Sequence, residues 1–188
     1  MTFSSVEKTG AVSSPMRMGM VLFLVSETFL FGALFWTYYY LRALTPGWPA
    51  HHPAATLAIA NTALLLASSG TVMLSIRAIR KGNENGLFIG LLATLVLGIA
   101  FLSITGWEWI HEDFRPWTDA YGSIFFTMTG FHALHVFGGV LLMLALLART
   151  RRHLFSRDRH LGVEVGSLYW HFVDFIWIIV FTTLFIIR

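Results

Sequence analysis

Long apolar segments alternate with short polar connections along the chain, and five of the segments are long enough to form transmembrane helices. An α-helix needs ~20 apolar residues to cross ~30 Å of hydrocarbon. The segments also lack the strict alternation of apolar and polar residues that is typical of membrane β-barrels. The pattern therefore predicts an all-α integral membrane protein with five transmembrane helices, at about 18–41, 54–76, 87–107, 121–148 and 165–187.

The connections between the predicted spans are short and contain residues that break helices. Pro46, Gly82 and Pro116 interrupt the first, second and third connections. Because short links join antiparallel neighbours, we expect an up-and-down helical bundle. Residues 1–16 are polar and lack the apolar stretch of a signal peptide, so we expect a cytoplasmic polar tail followed by a single bundle domain at 17–188.

The composition supports a membrane protein, since 56% of the residues are hydrophobic and 12% are charged, against ~25% charged in soluble proteins. The absence of cysteine excludes a disulfide scaffold and cysteine-ligated zinc or iron–sulfur sites. Ten of the 13 Lys and Arg residues lie in the tail and in the second and fourth connections. The positive-inside rule then predicts a cytoplasmic N-terminus and a periplasmic C-terminus. The isoelectric point near 9.6 thus reflects topology, and no nucleic-acid partner is expected.

Titratable or amide side chains lie inside four of the five predicted spans. A charge at the bilayer centre costs roughly 2.5–3.5 kcal/mol on insertion scales, so such residues need a partner or a function. His132 and His135 are three residues apart, as are His171 and Asp174, so each pair is predicted to share a helix face. The candidates for an intramembrane polar network are Glu27, Asn61, His132, His135, His171 and Asp174.

Several interpretations of this polar layer are open from the residues alone. The side chains form hydrogen bonds between helices, because lipid offers no other partner, or they relay protons. His132 and His171 could instead ligate haem in a self-contained dihaem cytochrome that also has His135 available. A di-metal site is disfavoured because Glu27 has no Glu-x-x-His companion on its helix. A transporter is disfavoured because the spans contain no proline and no repeated halves.

Four groups of residues, spread along most of the chain after residue 15, form a specific set of motifs. They are Ser26-Glu27-Thr28-Phe29-Leu30-Phe31, Asn61-Thr62, Thr129-Gly130-Phe131-His132 with His135, and Tyr169-Trp170-His171-Phe172-Val173-Asp174. Together these motifs resemble subunit III of the haem–copper terminal oxidases, in the short five-helix form that is familiar among bacterial oxidases. The longer form of the family has two more helices before the span that carries the glutamate. One wall of the family's lipid cleft is therefore expected to come from another subunit or to be absent.

The resemblance implies an accessory subunit with no catalytic residue, metal or cofactor of its own. Such a subunit docks directly on the catalytic subunit I, beside subunits II and IV, and the haems and copper belong to those partners. Glu27 is implied to be the family's buried carboxylate, near the proton uptake route and the subunit I interface.

The resemblance also implies lipid contacts, a location and an electron donor. Arg149 and Arg152 are implied to contact the headgroup of a structural phospholipid. The implied location is the bacterial cytoplasmic membrane. The implied donor is cytochrome c, which acts through the partner subunits, and a quinol oxidase is the alternative.

Overall fold

The structure, a computed structural model, describes residues 15–51, 53 and 55–187. Within these ranges it contains five long α-helices and no strand. Each helix is long and apolar enough to cross a membrane. The predicted all-α bundle of five transmembrane helices is therefore confirmed. The predicted polar tail lies outside the described residues, apart from Pro15 and Met16, which begin the first helix.

Most helices extend three or four residues beyond the apolar segments that predicted them. A helix does not end with its apolar segment, because its backbone hydrogen bonds continue into the polar interface until a turn or cap stops them. The bounds are α1 Pro15–Leu44, α2 Ala55–Arg80, α3 Glu84–His111, α4 Ala120–Arg151 and α5 Leu161–Phe181, which continues as a π-helix at Thr182–Ile187.

Short polar side chains start α3 and α4. Asn83 Oδ1 accepts a hydrogen bond from the backbone N–H of Gly86 at 2.8 Å. Asp119 Oδ1 accepts one from the backbone N–H of Gly122 at 2.7 Å. Such caps satisfy N–H groups that have no partner inside the helix. Gly82, which precedes the first cap, has a φ angle of 77°, a left-handed conformation that glycine adopts without steric cost.

Four of the helices form a closed ring. Helix α2 packs on α3, α3 on α4, α4 on α5, and α5 again on α2. Helix α1 packs outside this ring, against α4 and α5. Of the 30 residues of α1, Phe31 and Tyr38 are buried. Helix α1 is therefore a peripheral helix attached to a four-helix core.

The core is packed around Trp170 of α5. A Cβ atom added at Gly98 of α3 or at Gly139 of α4 would lie 2.7 Å from a carbon of the Trp170 indole. Trp170 Nε1 donates a hydrogen bond to Ser68 Oγ of α2 at 2.9 Å. One side chain thus contacts three other helices, and the small residues opposite it permit their close approach.

The two ends of the bundle differ in charge. The basic end consists of the start of α1, the α2–α3 turn and the α4–α5 connection, which ion pairs of Glu164 with Arg17 and Arg80 help to bring together. The acidic end consists of the α1–α2 and α3–α4 connections, and there His51 Nε2 lies 2.9 Å from Asp119 Oδ2. Up-and-down connectivity separates the two groups of connections by the full length of the bundle.

Candidate functional site

Glu27 of α1 and His135 of α4 form a polar pair near the middle of both helices. Glu27 Oε2 lies 2.9 Å from His135 Nε2, and the two side chains are 15% and 14% exposed. His135 Nδ1 lies 2.7 Å from the carbonyl oxygen of Phe131. Because a carbonyl only accepts, Nδ1 carries a hydrogen. The Glu27–His135 contact therefore needs one shared proton, either on the carboxyl or on Nε2, and the pair has no net charge in either case.

Two further contacts hold His135 in place. The Tyr169 hydroxyl of α5 donates a hydrogen bond to the backbone carbonyl of His135 at 2.8 Å. Phe31 of α1 contacts the imidazole edge-to-face, with ring centroids 5.0 Å apart. In lipid, helices associate through packing and polar contacts rather than through the hydrophobic effect. The contacts of Phe31 and Glu27 with His135 therefore attach α1 to the ring in the middle of the membrane.

A second polar group joins α2 to α5. Ser69 donates its hydroxyl hydrogen to Asp174 Oδ2, and His171 Nδ1 lies 3.0 Å from Ser69 Oγ. Because a serine hydroxyl has one hydrogen, His171 Nδ1–H donates to the Ser69 oxygen. Asp174 is buried and His171 is half-buried. Ser69 therefore bridges two residues whose spacing predicts a shared face, and the candidates for the polar network that the sequence indicated did not include it.

His132 lies fully buried among aromatic side chains. Its ring is perpendicular to Phe101 of α3, with centroids 5.6 Å apart, and tilted against Trp177 of α5, with centroids 4.9 Å apart. Within the described part of the chain, neither of its ring nitrogens has a hydrogen-bond partner. His132 and His135 are neighbours on α4, yet the side chain of His132 packs on α3 and α5, whereas that of His135 contacts α1.

Asn61 lies near the start of α2 and is fully buried. Its Nδ2 donates a hydrogen bond to Thr105 Oγ1 of α3 at 3.2 Å. The adjacent Thr62 accepts a hydrogen bond from Trp177 Nε1 at 2.9 Å, and Trp177 also packs on His132. The structure thus distributes the predicted network over three places: the α1–α4 pair, the Ser69 bridge, and the Asn61–His132 region.

Among residues 15–51, 53 and 55–187, no group of three or more His, Asp or Glu side chains is arranged to hold a metal ion. The di-metal interpretation therefore has no ligand set within these ranges.

At the basic end, Glu164 in the first turn of α5 joins three segments. Its Oε1 accepts a hydrogen bond from Arg80 Nη2 of α2 at 2.8 Å and lies 3.3 Å from His160 Nε2. Its Oε2 accepts one from Arg17 of α1. Sequence reasoning did not single out Glu164. The available signal was a carboxylate immediately before a predicted span, at the end of a basic connection, where the helix dipole favours a negative charge.

A groove with a volume of about 770 Å³ lies at the same end of the bundle; we call it the basic-end groove. Its charged lining residues are Arg149, Arg159 and Asp158. The Arg149 guanidinium lies over the ring of Phe155, 5.6 Å from its centroid. Arg152 is exposed and is not part of the lining. The apolar lining includes Met16, Met20, Leu142, Leu146, Leu161 and Val165.

The acidic end concentrates carboxylates around one imidazole. Burial raises the pKa of Glu112 from its ordinary value of 4.5, and the nearby Asp113 raises it further, whereas His51 lowers it. The His51 ring stacks on Phe114, with centroids 4.6 Å apart. The imidazole thus lies where it offsets part of the repulsion between the carboxylates.

One model of a known protein family matches nearly the whole chain. The family model described as cytochrome c oxidase subunit III matches residues 2–187. This chain belongs to the cytochrome c oxidase subunit III family. The cytochrome c oxidase subunit 3 of Anopheles gambiae is 37% identical over 187 residues, which cover 94% of this chain and 71% of the relative. That of Thermostichus vulcanus is 37% identical over 174 residues, which cover 90% of this chain and 86% of the relative.

Membership of the subunit III family confirms the resemblance seen in the sequence. The chain is a multi-pass membrane protein and a non-catalytic subunit of a haem–copper oxidoreductase complex. Subunit III does not itself carry metals. Membership therefore favours contacts between helices over haem ligation as the role of His132 and His171.

Proposed function

We propose that this chain is subunit III of a proton-pumping oxidase that takes electrons from cytochrome c in a bacterial cytoplasmic membrane. It packs directly against the catalytic subunit I, beside subunits II and IV, and the haems and copper belong to those partners. Its own role is to stabilise subunit I, to hold a structural phospholipid and to support proton uptake. The relatives are named cytochrome c oxidase subunit 3, which supports cytochrome c as the electron donor. The relative from Thermostichus vulcanus supports a location in a bacterial membrane.

The distribution of charge supports an orientation with the basic end in the cytoplasm. Arg17, Arg80 and Arg149 lie at that end, whereas Glu112 and Asp113 lie at the opposite end. Cytoplasmic segments of membrane proteins carry an excess of Lys and Arg. The acidic end then faces the periplasm.

The basic-end groove is the observation that supports the proposed phospholipid site. Arg149 lies in the last turn of α4, so its guanidinium is at the level where phospholipid headgroups meet water. Arg159 supplies a second positive charge to the same lining, and the apolar lining from Leu142 to Leu146 extends toward the membrane interior. A cationic mouth above an apolar wall matches a phosphate headgroup with acyl chains. Arg149 and Arg159 are therefore proposed to hold the phosphate.

Glu27 is proposed to support proton uptake through its shared proton. The proton can occupy Glu27 Oε2 or His135 Nε2 without a change in the net charge of the pair, and the two atoms are 2.9 Å apart. A neutral pair avoids most of the cost of an isolated charge in hydrocarbon. The pair is therefore proposed to be a mid-membrane group that moves one proton between its two side chains.

The experiment compares oxidase complexes purified in mild detergent with either Arg149→Gln or Arg152→Gln in this chain. Both variants remove one positive charge from the basic end, and only Arg149 lines the groove. Because a hydrogen bond to a charged group contributes about 1.5 kcal/mol or more, we expect Arg149→Gln to bind phospholipid ~10-fold more weakly. Phospholipid per complex is measured by mass spectrometry.

Two results would contradict the proposal. Equal phospholipid content in the Arg149→Gln and Arg152→Gln complexes would exclude the groove as the lipid site. The same preparations are assayed with reduced cytochrome c and with a quinol. Oxidation of the quinol alone would exclude cytochrome c as the donor and leave the lipid site unaffected.

A further inference from the structure

Helix α1 depends on a few polar contacts for its position. It buries two of its 30 residues, Phe31 and Tyr38, and it lies outside the four-helix ring. Apolar contact with the ring gives it little advantage over apolar contact with lipid, because lipid tails are equally apolar. Its polar contacts with the ring include the Glu27–His135 pair near the middle and the Arg17–Glu164 ion pair at the basic end.

The ion pair at the basic end connects α1 to the ring through a shared carboxylate. Arg80 of α2 and Arg17 of α1 both donate to Glu164 of α5, and α2 and α5 are neighbours in the ring. Glu164 is 14% exposed, against 43% for Arg17 and 59% for Arg80. The carboxylate is thus the sheltered centre of the arrangement. We call Arg17, Arg80 and Glu164 the ion-pair latch.

The ion-pair latch lies directly beside the basic-end groove. Met16 and Met20 of α1 line the groove, and they flank Arg17 within about one helical turn. Val165, which follows Glu164 on α5, lines the groove as well. Glu164 itself is not part of the lining. The contact that holds the first turns of α1 is therefore also the contact that holds one wall of the groove.

We propose that Glu164 is a positioning residue for the phospholipid site. It keeps the first turns of α1 against the ring, and the groove retains its phospholipid only while this α1 wall is in place. The inference rests on the proposed phospholipid site at Arg149. It adds that a residue outside the groove controls how firmly the lipid is held.

The direction of the change in phospholipid binding distinguishes a positioning role of Glu164 from a direct effect of its charge. Glu164 is negative, so its neutralisation makes the basic end more positive, and charge alone predicts tighter binding of a phosphate headgroup. The ion-pair latch predicts the opposite, because Glu164→Gln weakens the contacts to both guanidiniums and releases α1. A loss of phospholipid in this variant therefore cannot be a direct charge effect.

The test uses the whole oxidase complex carrying Glu164→Gln, with Glu84→Gln as the matched control. Glu84 is also a carboxylate in the first turn of a helix at the basic end, and it contacts His153 rather than α1. We expect Glu164→Gln to retain roughly threefold less phospholipid. This factor corresponds to the interaction energy of a partly exposed ion pair. We also expect faster hydrogen exchange in the first turns of α1, and Glu84→Gln to behave as the wild type.

Two further variants distinguish a failure of the ion-pair latch from a failure of the proposed phospholipid site. Arg17→Gln combined with Glu164→Gln is expected to lose no more phospholipid than Glu164→Gln alone, because Glu164→Gln already weakens the Arg17–Glu164 contact. If Glu164→Gln retains phospholipid while Arg149→Gln loses it, the ion-pair latch is wrong and the phospholipid site stands. If neither variant loses phospholipid, the proposed site is wrong and the ion-pair latch has no lipid to control.

Discussion

At the scale of single residues, the cost of polar atoms in hydrocarbon explains where the chain places its charges. Glu27 and His135 share one proton in a hydrogen bond, and Asp174 accepts a hydrogen bond from Ser69. Glu164 is surrounded by two guanidiniums and an imidazole. Each of these three carboxylates therefore has a donor that limits the cost of its burial.

We expect Glu27→Gln to leave assembly of the oxidase complex largely intact. A glutamine amide can donate to His135 Nε2 in place of the shared proton, so the α1–α4 contact survives. Glu27→Ala leaves Nε2 unpaired in a half-buried position, at a cost of about 1–3 kcal/mol. Assembly is measured as the amount of this chain that co-purifies with the haem-containing subunits.

Ser26→Ala is the control for both Glu27 variants. Ser26 is exposed on α1, and its hydroxyl donates to the carbonyl of Phe23. We expect its replacement to leave co-purification unchanged. Loss of the complex in Glu27→Gln would show that the ionisable carboxyl itself, rather than the hydrogen bond, is needed for assembly.

At the scale of helices, α5 is joined to α2 by side-chain hydrogen bonds along its length. Trp177 Nε1 donates to Thr62, and Trp170 Nε1 donates to Ser68. Asp174, between the two indoles, accepts a hydrogen bond from Ser69. The opposite side of Trp170 packs on Gly98 and Gly139 of α3 and α4. Helix α5 is therefore the element that ties the ring together.

We expect Gly139→Ala to destabilise the bundle by about 1–3 kcal/mol, the usual cost of overpacking a core. The new Cβ would lie 2.7 Å from Trp170 Cζ3, and the indole is held by its hydrogen bond to Ser68. Gly32→Ala on α1 is the control, since among the described residues outside its own stretch of helix no atom lies within 4 Å of the added Cβ. There, alanine's helix propensity predicts a neutral or slightly stabilising effect.

The measurement is thermal unfolding of the two glycine variants in the detergent-solubilised complex. The expected order of midpoints is Gly139→Ala below wild type, with Gly32→Ala equal to or above it. A Gly139→Ala midpoint equal to that of wild type would show that Trp170 moves aside without cost, which the close packing on two helices argues against.

At the scale of the whole molecule, α1 presents an apolar face that the ring does not cover. Leu22, Phe29 and Trp36 recur every seven residues and are 63%, 76% and 75% exposed. A spacing of seven residues keeps side chains on one face of a helix, and Phe31 and Tyr38 lie on the opposite face. A subunit of a membrane complex must present one face to its partner. The peripheral helix is proposed to supply that face.

We expect the double variant Phe29→Ala with Trp36→Ala to reduce co-purification with the catalytic subunit by more than about threefold, because large aromatic side chains dominate interface energies. The matched control is Ile89→Ala with Val96→Ala on α3. These two residues are also seven apart, and they are 65% and 56% exposed. Equal co-purification of both double variants would show that the partner binds another face.

The fold follows from properties that each residue carries by itself. Segment length, the cost of polar groups in hydrocarbon and turn-forming residues such as Gly82 determine five helices and their connections without reference to any partner. The same reasoning located Glu27, His135 and Asp174, because a titratable group inside an apolar segment stands out. It did not locate Ser69, since a serine hydroxyl in a helix costs little and is common in membrane spans.

Which of these residues meet depends on how the helices pack. Ser69 and His171 are 102 residues apart, and Arg17 and Glu164 are 147 apart. The sequence contains no signal for which partner each of them contacts. His132 and His135 share one side of α4 by spacing. Because their side chains differ slightly in direction, His132 packs on aromatic rings and His135 contacts α1. By itself the sequence determined the helices and the family, whereas the pairing of Glu27, the contacts of Glu164 and the basic-end groove arise from how the helices pack.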